Sequence, residues 1–294
     1  MTTTPERLLR RLEWRLGRRL DGRLQGAYRT VWHGTGVDFT DLRVYLPEDD
    51  VRHIDWNVTA RVDEPYVRLY TEDRELTCWL LIDRSASMRF GAKGKESVAA
   101  DLAIALGRLV SQGGNRVGAI LFDNERQQVI PPRTGRDQIL RITRDLTRAP
   151  AMIKKGQTTD LAAMFRLAAA TTIRRRSLIF VMSDFIGDPG WERDLARLTH
   201  RHEVVVIRVV DPAELDLPDL GVILVEDAET GEQLLVDTSD PLLRSRLATQ
   251  VGAREDAVAA AMRSAGVAAH RITTDQDLLA ALVALVQQSG RGRR

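Results

Sequence analysis

The chain has 294 residues, of which 44% are hydrophobic and 29% charged, so it can bury a large core. Its 43 Lys and Arg nearly cancel its 41 Asp and Glu, and a formal net charge of +2 excludes a strong global attraction to nucleic acid. The single cysteine, Cys78, excludes an internal disulfide and a thiolate metal cluster, and no stretch approaches the roughly 20 apolar residues of a membrane helix.

In chain order, residues 6–25 read as a basic amphipathic helix. Leu8, Leu12, Leu16, Leu20 and Leu24 recur every four residues among arginines, and residues 1–30 carry a net +5. Such a helix suits peripheral contact with a membrane, a partner, or docking through its leucines with the basic face in water. Arginines interrupt the leucines, so no signal-peptide core is present and a reducing, cytoplasmic setting is expected. Residues 31–74 should hold short strands and loops. From residue 75 the pattern becomes strand–helix alternation. Apolar runs at 76–82, 116–122, 177–183 and 203–210 have strand length, with helical stretches near 95–112, 136–148, 160–174 and 190–201 between them. Continuous apolar runs suit parallel strands covered on both faces. The reading is therefore an α/β doubly wound, mostly parallel sheet with helices on both faces, over residues 75–288. A β-hairpin insertion (221–238) turns through Glu229-Thr230-Gly231-Glu232; a long helix (241–264), a short strand (268–272), a last helix from Asp275 and a 289–294 tail follow. Cys78 sits inside the first apolar run and should be a buried, inert thiol.

Three polar features fall where strands end or helices begin: Asp83-Arg84-Ser85-Ala86-Ser87, Gln157-Thr158-Thr159-Asp160 and Ser183-Asp184. In a doubly wound sheet they should converge on one edge, beyond the carboxyl ends of the strands. Asp83, Ser85, Ser87, Thr159 and Asp184 supply two carboxylates and three hydroxyls. This is a hard-oxygen set that suits Mg²⁺ best, with Mn²⁺ or Ca²⁺ as alternatives, and leaves room for an outside oxygen. Neither His nor Cys belongs to the set, which argues against zinc.

This triplet of motifs resembles the metal-ion-dependent adhesion site of von Willebrand factor type A domains. The resemblance extends to domain-of-unknown-function family 58 through Phe39, Leu42, Arg43, Tyr45, Asp49, Asp50, Arg52, Ile54, Asp55 and Trp56, followed by Ala60-Arg61. It continues in Pro218-Asp219-Leu220-Gly221, in the 226–232 loop and in Val236-Asp237-Thr238-Ser239-Asp240. Two positions depart from the family pattern: Glu48 stands where Gly is frequent before the acidic pair, and Gln157-Thr158 where Gly-Gly is commoner. The ligand is assigned to Thr159 by its position before the aspartate, with Thr158 second. The resemblance implies a von Willebrand factor A-like fold and a non-enzymatic, metal-dependent interaction module. It further implies an adaptor role beside a MoxR-type AAA+ ATPase, acting on client proteins. The open metal position would take an exposed Asp or Glu of the partner.

Other readings compete. The cluster of Arg43, Asp49, Asp50, Arg52, Asp55, Trp56 and Arg61 fits either a partner-binding surface or an ion-pair network joining 31–74 to the main domain. A metal-dependent phosphohydrolase using Asp83 is the main alternative function, although Ser85 stands where such enzymes place a second aspartate. No nucleophile elbow and no phosphate-binding Gly-x-x-x-x-Gly-Lys loop occurs. Gly91-Ala92-Lys93-Gly94-Lys95 reads as a loop beside the crevice. His200 and His202 fit surface or core better than metal ligation.

Overall fold

The computed structural model describes residues 36–47, 49–62, 64–73, 76–91, 94–123, 126–148, 159–172, 176–216, 219–226 and 232–291. The basic helix expected at 6–25 lies outside them, as do Glu48, Gln157 and Thr158.

A six-stranded sheet forms the centre. In sequence its strands are β3 (Thr77–Asp83), β4 (Arg116–Phe122), β5 (Gln127–Arg133), β6 (Leu178–Ser183), β7 (Glu203–Val210) and β10 (Ala269–Thr273). In space the order is β10-β7-β6-β3-β4-β5, all parallel except β5, which runs antiparallel to β4. The apolar runs become strands buried on both faces, and each feeds two cores by alternation. Cys78, Leu80 and Ile82 of β3 join Leu178, Phe180 and Met182 of β6 in one layer. Trp79, Leu81, Ile179 and Val181 enter the other.

Helices cover both layers. On the first face lie α2 (Lys95–Gln112), α3 (Arg136–Thr147) and α7 (Leu278–Arg291), through Leu102, Leu106, Ile139, Ile142, Leu282 and Leu285. On the second lie α4 (Leu161–Thr171), α5 (Glu192–Arg201) and α6 (Pro241–Ser264), through Met164, Phe165, Leu195, Leu198, Val258 and Met262. The expected α/β architecture is therefore observed. Among the described residues no helix is long and apolar enough to cross a membrane. Cys78 is fully buried, and burial pushes its thiol up.

Several local expectations are corrected. Strand β5 was not anticipated, because Pro131 and Pro132 interrupt its pattern. It is tolerated at the sheet edge, where a missing N–H donor costs no ladder bond. Residues 36–73 hold the antiparallel strands β1 (Gly36–Val44) and β2 (Tyr66–Asp73), but the connection contains a helix, α1 (Trp56–Val62). Its β-forming residues hid it. Asp55 starts it by accepting from the backbone N–H of Asn57 at 3.0 Å and Val58 at 3.3 Å. Helix α7 runs to Arg291, past the expected tail boundary.

The hairpin forms as expected from β8 (Val222–Glu226) and β9 (Gln233–Asp237). Its base is locked by Thr238, whose N–H and hydroxyl both donate to the Gly221 carbonyl at 2.8 Å. Its strands expose Val222, Leu224, Leu234 and Leu235.

Candidate metal centre

Strands β3 and β6 are neighbours. The helix after β3 packs on one face of the sheet and the helix after β6 on the other. Their carboxyl ends therefore flank the crevice typical of doubly wound sheets. Asp83 closes β3 and is fully buried. Its Oδ1 accepts from the Ser85 N–H at 2.9 Å, and its Oδ2 from the Ser183 hydroxyl at 2.6 Å. The hydroxyl oxygens of Ser85 and Ser87, both buried, lie 3.0 Å apart and share one hydrogen bond. Burial first, then the charge of Asp184, pushes the Asp83 carboxyl up to about 7, although hydrogen bonds from Ser183 and Ser85 pull the other way. A buried negative charge is thus left short of compensation.

Asp184 is 1% exposed. The chain turns sharply behind it because Phe185 adopts φ 59, a left-handed conformation that costs a non-glycine residue roughly 1–2 kcal/mol. Packing holds it there: the Phe185 ring is buried, 5.1 Å from the ring centroid of Trp191 and 6.4 Å from that of Phe165. The turn aims the N–H of Ile186 at Asp184 Oδ1 (2.9 Å) and that of Phe185 at Ser183 Oγ (2.9 Å).

Thr159 is 1% exposed and immediately precedes Asp160, which caps α4 by accepting from the Ala163 N–H at 2.8 Å. The Thr159 carbonyl accepts from Leu161 N–H at 3.2 Å and Asp188 N–H at 3.3 Å. The loop after β6 comes so close that a Cβ on Gly187 would lie 2.4 Å from that carbonyl oxygen. Glycine at 187 is what lets the Thr159 segment and the Asp184 loop touch. The structure therefore gathers the Asp83–Ser87 turn with Asp184, and clasps the backbone of Thr159 to the loop that carries Asp184.

Two arginines brace these turns from outside. Arg84 is buried, and its guanidinium reaches Glu96 on α2 (Nε to Oε1, 2.8 Å) and the Arg148 carbonyl after α3 (2.9 Å). Arg208 on β7 donates to the Asp184 carbonyl at 3.1 Å and holds Glu255 on α6 in a bidentate pair at 2.6 and 2.7 Å. That pair holds the Glu255 carboxyl below its ordinary value.

Sequence reasoning missed four residues of the site. Ser183 enters the sequence motif only as the partner of Asp184, and its hydroxyl donates to Asp83 Oδ2. Gly187 carried no visible signal. Lys95, in what read as a loop, is fully buried and donates to Asp184 Oδ2 at 2.6 Å and to Glu214 Oε1. Glu214 belongs to a capping box with Asp211, and that Asp-x-x-Glu spacing was a legible cue.

The charged cluster of the 36–73 region divides. Arg43 pairs with Asp49 at 2.6 Å and Arg52 with Asp50 at 3.3 Å, while Asp55 caps α1 and Trp56 and Arg61 are exposed. His202 is a core residue, accepting from the Ser177 N–H at 3.2 Å with Nε2 3.1 Å from Thr172 Oγ1; His200 is exposed.

Among the described residues no three His, Cys, Asp or Glu side chains group as a metal site. The donor set instead pairs two buried carboxylates with hydroxyls. It fits a hard divalent ion such as Mg²⁺, because the under-compensated Asp83 charge asks for a cation and the hydroxyls offer neutral oxygen.

The family described as "Protein of unknown function DUF58" matches residues 41–257. An uncharacterized protein of Mycobacterium tuberculosis is 37% identical over 289 residues, covering 97% of this chain and 89% of that protein. An uncharacterized protein of Mycobacterium avium is 35% identical over 166 residues, 55% of this chain and 95% of that one. Among solved structures, the chain is similar to an aerotolerance-related membrane protein from Bacteroides fragilis NCTC 9343 (17% identity, TM-score 0.48, 74% of this chain and 99% of that chain). It is also similar to the SpRpn10 VWA domain (16%, TM-score 0.39, 72% and 94%). A third likeness is to von Willebrand factor type A from Catenulispora acidiphila (11%, TM-score 0.37, 76% and 44%). The chain belongs to the DUF58 family and has a doubly wound α/β fold.

Proposed function

We propose that this protein is a non-enzymatic, metal-dependent protein-interaction module whose grip is the crevice between β3 and β6. Asp83, Ser85, Ser87, Thr159 and Asp184 would hold the ion, Mg²⁺ by preference and Mn²⁺ or Ca²⁺ as substitutes. The ion's contribution is a Lewis-acidic position that an outside carboxylate can fill. The observation that carries this reading is the pairing of Asp83 with the Ser85–Ser87 hydroxyls. A fully buried carboxylate beside a second carboxylate is costly unless a cation offsets it, and two neutral oxygens stand next to it at 3.0 Å from each other.

The phosphohydrolase alternative asks Asp83 to act as a nucleophile. Both its oxygens already accept hydrogen bonds, and Ser85 occupies the position where that chemistry wants an acid. Kinship with the family supports a partner of the MoxR-type AAA+ class and client proteins bearing an exposed Asp or Glu. Residues 6–25 offer a peripheral membrane contact.

The test is capture from native lysate on wild-type and Ser85→Ala/Ser87→Ala bait, each with Mg²⁺ or with chelator. Retention of an AAA+ ATPase by wild type with Mg²⁺ alone is the expected result. Equal retention in all four conditions would move the grip away from this crevice.

A further inference from the structure

Lys95 opens helix α2 yet has no solvent exposure. Its ammonium donates to Asp184 Oδ2 at 2.6 Å and to Glu214 Oε1, and lies 5.8 Å from the centroid of the Phe90 ring. Desolvating an ammonium is costly unless anions surround it, so this placement is built rather than incidental. The framework around it is specific. Glu214 is fixed by its capping box, with Oε2 accepting from the Asp211 N–H at 3.4 Å. Asp211 in turn accepts the Thr274 hydroxyl at 2.7 Å. The loop leading to Lys95 packs so tightly on this aspartate that a Cβ at Gly91, where φ is +93, would meet Asp211 Oδ2 at 2.1 Å.

This ammonium and a metal would want the same anion. Asp184 Oδ1 is taken by the Ile186 N–H, and Oδ2 by Lys95. When Asp83, Asp184 and Glu214 are ionised these carboxylates outnumber the Lys95 ammonium three to one, before the neighbouring Asp211 is counted, so a divalent ion has uncompensated anionic charge to offset. We propose that Lys95 is a tethered cation competing with the metal for Asp184, and that Glu214 is the carboxylate that keeps the ammonium when Asp184 is given up. Lys95 then sets how tightly the crevice takes a divalent ion. It also keeps the crevice assembled before one binds. The inference rests on the metal-binding reading above. It makes Lys95 and Glu214 positioning residues of opposite sign: removing the ammonium tightens metal binding, and removing its alternative partner weakens it.

The experiment is Mn²⁺ titration of the full-length protein, followed by electron paramagnetic resonance at neutral pH, with melting temperature recorded for each variant. The set is wild type, Lys95→Met, Glu214→Gln, and Asp216→Asn as a nearby exposed acid that touches neither group. The expected result is one Mn²⁺ per wild-type chain, bound about tenfold or more tightly by Lys95→Met and about tenfold or more weakly by Glu214→Gln. Asp216→Asn should change affinity by less than about twofold, since an exposed charge is screened. Unchanged or weaker binding by a folded Lys95→Met would make Lys95 a mere strut and overturn the proposal. Should Lys95→Met fail to fold, Glu214→Gln decides alone, and wild-type affinity in it overturns the proposal. Mn²⁺ bound by Lys95→Met but not by wild type would support competition while removing metal dependence from the natural protein. Absence of binding in both would refute the metal reading and this inference together.

Discussion

Substitution of Gly187 by alanine tests the site geometry most directly. The new Cβ would stand 2.4 Å from the Thr159 carbonyl oxygen and 3.4 Å from the Thr159 Cβ. Real contacts of this kind do not fall below 3.0 Å, so the carbonyl must retreat by more than half an ångström. It cannot do so freely, because it accepts hydrogen bonds from Leu161 and Asp188. Overpacking of this kind costs about 1–3 kcal/mol, and the loss of either hydrogen bond places the cost at the upper end. At about 2–4 °C per kcal/mol for a domain of this size, the melting temperature should fall by about 5–10 °C. Because the clash drives the Thr159 segment from the Asp184 loop, Mn²⁺ affinity should fall more than about tenfold, or about 1.4 kcal/mol. Gly252, in α6 with nothing within 4 Å of its added Cβ, is the control: alanine there should stabilise by about 0.5–1 kcal/mol. A Gly187→Ala protein with wild-type melting temperature and Mn²⁺ affinity would refute the close contact and the argument built on it.

Two further outcomes follow from the same region. Asp83 has a folded value of about 7 against 3.8 ordinarily, so it binds a proton more readily folded than unfolded. Its contribution to stability is full below about pH 4 and lost as pH rises through about 7. In chelator, wild type should therefore lose stability relative to Asp83→Asn between about pH 4 and pH 7, and excess Mg²⁺ should offset that loss in wild type only; a pH-independent difference between the two proteins would contradict this. Arg208→Ala removes both the bidentate bond to Glu255 and the donor to the Asp184 carbonyl, so it should cost about 2 kcal/mol, between the values for exposed and buried pairs. The Glu255 carboxyl is held low by Arg208, so its contribution is present above its ordinary value of 4.5 and lost as pH falls through the lowered one. Chemical denaturation of Arg208→Ala and wild type at neutral and acidic pH should show a difference that shrinks on acidification, and a constant difference would dismiss the pair.

The sequence by itself determined the frame. Apolar runs of strand length alternating with helical stretches admit little besides a covered parallel sheet, and that sheet brings the ends of its strands to one edge. Asp83, Ser85, Ser87 and Asp184 were therefore legible as neighbours, because short-range turn chemistry and strand direction place them without knowledge of packing. Strand β5 and helix α1 were not legible, since each runs against local propensity and depends on a sheet edge or a single cap. Lys95, Glu214 and Gly187 could be decided only by tertiary structure. Lys95 meets Asp184 across 89 residues and Glu214 across 119. Whether a lysine after two glycines is a solvated loop charge or a buried counter-ion depends on which carboxylates the fold turns towards it. Local sequence sets the residues that can carry charge. Only the packed chain decides which charges must face one another where water is excluded.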